Sequence, residues 1–409
     1  MRRWKTISLT NNLRPFHKYL EGFLISMPVE YNKGNISEAI LAAAVGARFK
    51  KRFSESDFRG GKKDSKSVNI GSMKAVTVAD VQEVLSQLVS GSASYQVRDF
   101  NKKEMKSADI FDNISVSVAI PAPDMNFLRS RGNWSKVSNI FNSAVVKVNQ
   151  DPQIRAKAYG LSVNLAEDII NIRGVGTENQ QGTKVDLLVE IKHKGKQLKG
   201  DTKISLKYDA PQFAQAVGLE FENFGKIFDP LGLNNYTQFN QMFQEEVMTA
   251  FPDILGKRFD SRESILSSKE VAALKKVAKE VFASITDQLR TKLDSVAFKE
   301  QLARYCIEKA TKNESGVELV KFTTGGNQYT QKFGQQFIDN VKGQDFDVTY
   351  DSGGSDPKIV VHLKGKGTGN AYKLIQFRYR TDASSSDKAG TKKIVMRSYV
   401  ESGDLLYKL

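Results

Sequence analysis

The sequence predicts a mixed α/β protein. Apolar residues recur with helical period over 35–53, 77–88, 134–148, 235–250 and 268–312. Alternating or β-rich runs occupy 114–120, 183–192 and 202–207. From about residue 319, Gly, Ser and Asp clusters separate further β-like runs at 358–364, 371–380 and 393–400, with one short helix near 331–341.

Along the chain, Ile36, Ile40, Ala44 and Val45 form the apolar face of the first helix. Asn35 and Glu38 have the spacing of a capping box at its start. That helix runs into a basic stretch holding Arg48, Lys50, Lys51, Arg52, Arg59, Lys62, Lys63 and Lys66. The second helix starts at Thr77 and buries Val78, Val81, Leu85 and Leu88. Residues 161–173 read equally as a helix end or a strand. Two β-rich runs flanking a Lys-Gly-Lys turn then predict a hairpin. Pro211 suits the first turn of a following helix that carries Gln212 and Gln215.

The 409 residues carry 61 Lys and Arg against 46 Asp and Glu, a formal charge of +15. A field of that sign favours polyanionic partners, of which nucleic acid is the commonest. A single cysteine, Cys306, excludes an intrachain disulfide and a cysteine-rich zinc site, and three scattered histidines argue against structural zinc. No run of about 18 apolar residues is present, so the expectation is a cytoplasmic protein that does not span a membrane. Homo-oligomerisation stays open. No Walker A run or dinucleotide fingerprint appears, and Gly174-Val-Gly176 is too short for one.

The hairpin carries the functional signal. A turn near Gly195 sets Asp186 opposite Ser205, with Lys207 one pleat further on the same face. Opposed residues lie about 4.5–5.5 Å apart at Cα. Leu187, Val189, Ile204 and Leu206 take the other face and suit a core. A carboxylate beside an ammonium at a strand end suits phosphodiester hydrolysis with Mg²⁺, or with Mn²⁺. A cross-strand ion pair on a solvated face is the plain alternative. A second spelling, Glu190-Ile-Lys192 with Asp168, has the same acid-X-Lys form.

The segments Gly182-Thr-Lys-Val-Asp186, Ile204-Ser-Leu-Lys207 and Gln212-Phe-Ala-Gln215 resemble the PD-(D/E)XK nucleases, with their restriction-endonuclease-like fold. The resemblance covers roughly residues 30–50 and 180–225, and its motifs are short. It implies a restriction-endonuclease-like mixed-sheet core with helical additions and a β-containing C-terminal region. It further implies Asp186 as metal ligand, and Lys207 positioning water with support from Ser205 and Gln212. Ser205 stands where the family has its second acid, so the resemblance draws Glu38 and Glu220 (or Glu222) into the metal shell. DNA is then the partner, in a phage or restriction setting, held by Arg48, Lys50, Lys51, Arg52, Lys62, Lys63, Arg378 and Arg380. Each of these has a plainer reading as well: a solvated basic loop, an exposed helix Gln, or an edge strand guarded by Arg378 and Arg380. The regions expected are an N-terminal helical part of the core (1–105), the catalytic sheet (106–233), a helical region (234–318) and a β-rich C-terminal region (319–409). A non-catalytic nucleic-acid-binding or virion-associated protein and an RNA nuclease are the competing functions.

Overall fold

The computed structural model describes residues 31–54, 74–98, 101–111, 113–151, 154, 168–175, 185–193, 196–197, 201–209, 212–217, 227–233, 236–256, 266–352, 356–365, 372–384, 393–407 and 409. The fold is mixed α/β, built on two sheets. The larger holds β1 (Ser92–Arg98), β2 (Asn101–Phe111), β3 (Ile114–Pro121), β4 (Asp168–Gly174), β5 (Leu187–His193), β7 (Thr202–Tyr208), β9 (Val317–Phe322) and β10 (Gln328–Lys332) in that spatial order. The two-residue β6 (Lys196–Gln197) adds to β5. Neighbours run antiparallel except β3 with β4 and β7 with β9, which are parallel. The smaller sheet runs β11 (Phe346–Asp351), β12 (Lys358–Leu363), β13 (Tyr372–Ser384), β14 (Lys393–Ser402) and β8 (Gln212–Val217).

Helix α1 (Lys33–Ser54) is buried at every residue from Ile36 to Phe49. A helix apolar on all sides belongs inside a protein, and this one lies between the large sheet and two further helices. Those are α2 (Val78–Ser90) and α4 (Ser138–Gln150), separated in sequence by α3 (Ala122–Arg129). Thr77 caps α2 as anticipated, in a capping box with Asp80. A 3₁₀ turn over Arg131–Val137 takes the first residues of the helix expected at 134–148. The ambiguous stretch resolves as strand β4 at its C-terminal end.

The long helix expected at 268–312 is two helices, α6 (Ser268–Lys292) and α7 (Val296–Thr311). Ser295 ends the continuity because its hydroxyl accepts from Phe298 N at 3.4 Å, an N-cap that starts a new helix. These helices, α5 (Tyr236–Met242) and α8 (Gln335–Lys342) share one core with the C-terminal strands, so the helical and β-rich regions pack as a single layer pair. β9 links the two cores: Leu319 faces one, while Val320 and Phe322 face the other. Among the described residues, no helix is long and apolar enough to cross a membrane.

One buried charge cluster ties β9 to α4. Lys147, 1% exposed, donates to Asp151 Oδ2 at 2.6 Å, Glu318 Oε2 at 2.7 Å and Thr330 Oγ1 at 3.0 Å. Two carboxylates share this ammonium, and Lys332 Nζ stands 3.9 Å from Glu318 Oε1 at the rim. Burial raises the Glu318 pKa above its ordinary value of 4.5, despite the opposing pull of Lys147. Burial also acts upward on Asp151, but Lys147 and the Ile154 N–H outweigh it and leave that carboxyl lowered. A raised folded-state pKa on an acid means folding binds protons, so stability falls as pH rises through the window above 4.5. Glu318→Gln is expected to gain stability relative to the parent across that rise, measured by urea unfolding at stepped pH. A difference that stays constant with pH would contradict the assignment.

Candidate active site

The site lies where two strands part. β5 and β7 pair antiparallel through Leu187↔Ile204, Leu188↔Lys203 and Val189↔Thr202, the register the turn implied. Asp186 N still donates to Ile204 O at 2.8 Å, but the ladder stops there. Leu206 N, the next donor along β7, is accepted by the Asp186 side chain: Oδ2 lies 2.6 Å away. Ser205 Oγ and Lys207 Nζ reach the same oxygen, at 3.2 and 3.3 Å. Three donors therefore fix Oδ2, while Oδ1 accepts no hydrogen bond among the described residues. The Asp186 and Lys207 side chains are each 22% exposed, so a ligand in solvent can reach them. Leu187, Val189, Ile204 and Leu206 are buried on the opposite face, as the alternation required.

Glu38 approaches from α1. Its capping-box role is corrected: α1 begins at Lys33, Asn32 accepts from Gly34 N at 2.8 Å, and Glu38 falls in the second turn. It is 5% exposed, a carboxylate on a buried stretch that is mostly apolar. Space for it comes from Gly174, where a Cβ would stand 2.9 Å from Glu38 Oε1 and 2.8 Å from Val118 Cγ1. Gly174 pairs with Leu187, and Val175 N donates to Asp186 O at 2.8 Å. Glu38 thus packs against β4 at Gly174, the register partner of Leu187. Asp124, 3% exposed, holds the start of α1 by accepting from Asn32 N at 2.6 Å and Asn35 Nδ2 at 2.7 Å.

Gly174→Ala is expected to cost about 1–3 kcal/mol, because the methyl meets a packed carboxylate and a valine. Adding Glu38→Ala opens the space and is expected to recover part of that loss in thermal unfolding. A double variant showing only the sum of the two single losses would remove Gly174 as the cradle of this carboxylate. Sequence reading weighed Gly174 only within Gly174-Val-Gly176, yet a glycine closing an apolar strand is a signal of close approach.

The structure separates several other expected residues from this site. Asp168 lies opposite His193, and Glu190 opposite Asn171, so Asp168 and the Glu190-Ile-Lys192 pair project from opposite faces of the sheet. That parity excludes the second spelling. Glu190 instead lies 3.6 Å from Arg173. Gln212 is corrected from helix to strand: it begins β8 in the smaller sheet, at the register position of Glu401. Glu220, Lys62 and Lys63 lie outside the described residues.

Arg48 and Arg52 are corrected as phosphate contacts, since they are buried at 1% and 4% exposure. Arg48 braces α1 internally, donating to Asn149 Oδ1 at 3.3 Å and Lys74 O at 3.0 Å. Lys50 and Lys51 meet acids of α2, Glu83 at 2.8 Å and Asp80 at 2.6 Å. Arg378 and Arg380 alternate with the buried Phe377 and Tyr379 as read from sequence. β13 is however the middle strand of its sheet rather than an edge. Arg378 pairs with Asp356 at 3.2 Å, and the Arg380 guanidinium sits 4.4 Å from the centre of the Tyr399 ring.

Among the described residues, no three His, Cys, Asp or Glu side chains converge as a metal-binding group. Asp186 Oδ1 is the carboxylate oxygen at hand beside Lys207, while Glu38 stands at Gly174 on the Leu187 side of the sheet. That donor set fits a hard cation that keeps most of its water shell, as Mg²⁺ does, and does not fit a fully protein-caged ion. The sequence matches no protein-family model and no curated protein.

Proposed function

We propose that this protein hydrolyses DNA phosphodiester bonds with a divalent cation, on a restriction-endonuclease-like core of the PD-(D/E)XK kind. The observation carrying the reading is the parting of β5 and β7 at Asp186, whose Oδ2 is locked by Leu206 N, Ser205 and Lys207 while Oδ1 accepts no hydrogen bond among the described residues. An acid heading one strand and a lysine on the next support it, with an acid-bearing helix packed against the neighbouring β4.

Asp186 through Oδ1 would hold Mg²⁺ or Mn²⁺, with Glu38 and Glu220 as the further donors that the resemblance draws in. The bound ion supplies Lewis acidity, polarising a phosphoryl oxygen and acidifying a coordinated water. Lys207 supplies a positive charge beside the reacting phosphate, offsetting the charge that develops there. Its 3.3 Å contact with Asp186 keeps the ammonium oriented before substrate arrives. Ser205, fully buried, cannot act as the second acid and fixes the Asp186 carboxylate instead. Lys50, Lys51, Arg378 and Arg380 remain the candidates for holding DNA outside the reacting centre.

Ser205 in the second acid's place, with no group of three His, Cys, Asp or Glu side chains converging among the described residues, favours one competing reading: a nucleic-acid-binding or virion-associated protein that does not cut. Incubation of labelled DNA and labelled RNA with Mg²⁺, Mn²⁺ or EDTA separates them. Metal-dependent loss of intact DNA is expected. Retention of DNA in a gel without cleavage in either metal selects the binder, and cleavage of RNA alone reassigns the substrate.

A further inference from the structure

β7 ends in Lys207-Tyr208, and consecutive strand residues project to opposite sides. Lys207 turns to Asp186, while Tyr208 packs partly against the core beneath α1 and the start of α4. The phenol is held at its far end: it accepts from Asn139 Nδ2 at 3.2 Å and donates to Thr324 Oγ1 at 3.4 Å. Over the ring stands Lys33 Nζ, 5.5 Å from its centre. Lys33 is exposed and makes no ion pair among the described residues. Asp209, next to Tyr208 in sequence, is occupied by Thr324, accepting from its backbone N at 2.8 Å and from its hydroxyl. An ammonium with no ion pair among the described residues thus covers a fixed aromatic ring one residue from the site lysine.

From this juxtaposition we propose that Tyr208 and Lys33 form a subsite for an unpaired nucleotide flanking the scissile phosphate, which makes the substrate single-stranded or frayed DNA. The inference rests on the nuclease reading above. A base inside a duplex has both faces covered by its neighbours, so only an unpaired base can stack on a protein ring. Lys33 then leaves the ring face for the phosphate of that nucleotide. Its flexible four-carbon stem permits the exchange.

The test is fluorescence anisotropy in EDTA, with a labelled oligonucleotide offered alone or annealed to its complement. Single strand is expected to bind more tightly than duplex. Tyr208→Ala is expected to weaken single-strand binding about 5- to 150-fold, the worth of one stacked base. Tyr208→Trp, which keeps a platform, is expected to restore most of it. Lys33→Ala is expected to lower the slope of log affinity against log salt by about 0.7, one phosphate contact on a single strand. Unchanged affinity in both Tyr208→Ala and Lys33→Ala, a preference for duplex, or no binding to either would overturn the subsite. Because no metal is present, this outcome is independent of cleavage. Ring-dependent binding without hydrolysis in Mg²⁺ would sink the nuclease reading alone.

Discussion

Lys147→Met is expected to lower the unfolding free energy by about 3–5 kcal/mol, the usual cost of removing one partner from a buried ionic group. Met matches the stem of the lysine, so little packing volume is lost. What remains is two carboxylates, Asp151 and Glu318, buried side by side without the ammonium that donates to both. The damage does not stay local. β9 carries Glu318 and runs parallel to β7, with Ser205 at the position of Leu319 and Lys207 at that of Lys321. Loosening the α4–β9 tie therefore loosens the strand that presents the site lysine. Urea unfolding at neutral pH measures the loss, and it is expected to shrink in acid as the carboxylates take up protons. A loss below about 1 kcal/mol at neutral pH would show that the cluster is solvated and contributes as a surface pair does.

Asp186→Asn and Lys207→Ala are expected to reduce DNA cleavage by about 10²–10³-fold each, the scale of removing one preorganised charge from a reacting centre. Asn keeps an oxygen for Leu206 N, so the parting of β5 and β7 survives while the charge is lost. Stability is expected to change by less than about 1 kcal/mol in both variants, because the pair is partly exposed and its ion-pair energy is modest. That divergence is the point of the comparison. A pair that serves only to hold the hairpin together would show the reverse, with a fall in melting temperature matched by an equal loss of all binding.

The hairpin was legible because two period-2 patterns and a short polar turn leave one register that buries Leu187, Val189, Ile204 and Leu206 together. Asp186 and Lys207 followed from it. The Glu38 position was legible only as an acid in a helix. The Asn35-to-Glu38 spacing mimics a cap, whereas the true start is set by Asn32 and by Asp124, which lies 92 residues from Asn32 in sequence. Such a long-range anchor leaves no local pattern. Arg48 and Arg52 failed for a related reason. A basic run reads as solvent-facing, but α1 is sheathed on all sides and its guanidinium meets Asn149 and Lys74 inside. At Gln212, a proline-led segment has no period strong enough to choose, and pairing with β14 decides for strand. Tyr208 and Lys33 went unnoticed because neither residue is unusual alone, and only the end of β7 brings them together.

One measurement bears most directly on the central claim: the rate at which equal concentrations of folded parent and Asp186→Asn protein cleave labelled single-stranded DNA in Mg²⁺. The account predicts measurable, EDTA-sensitive cleavage by the parent and at least a hundredfold less by the variant. Cleavage by the variant at the parental rate, or a parent that holds DNA and never cuts it, would contradict the assignment of Asp186 as the acid of a hydrolytic site.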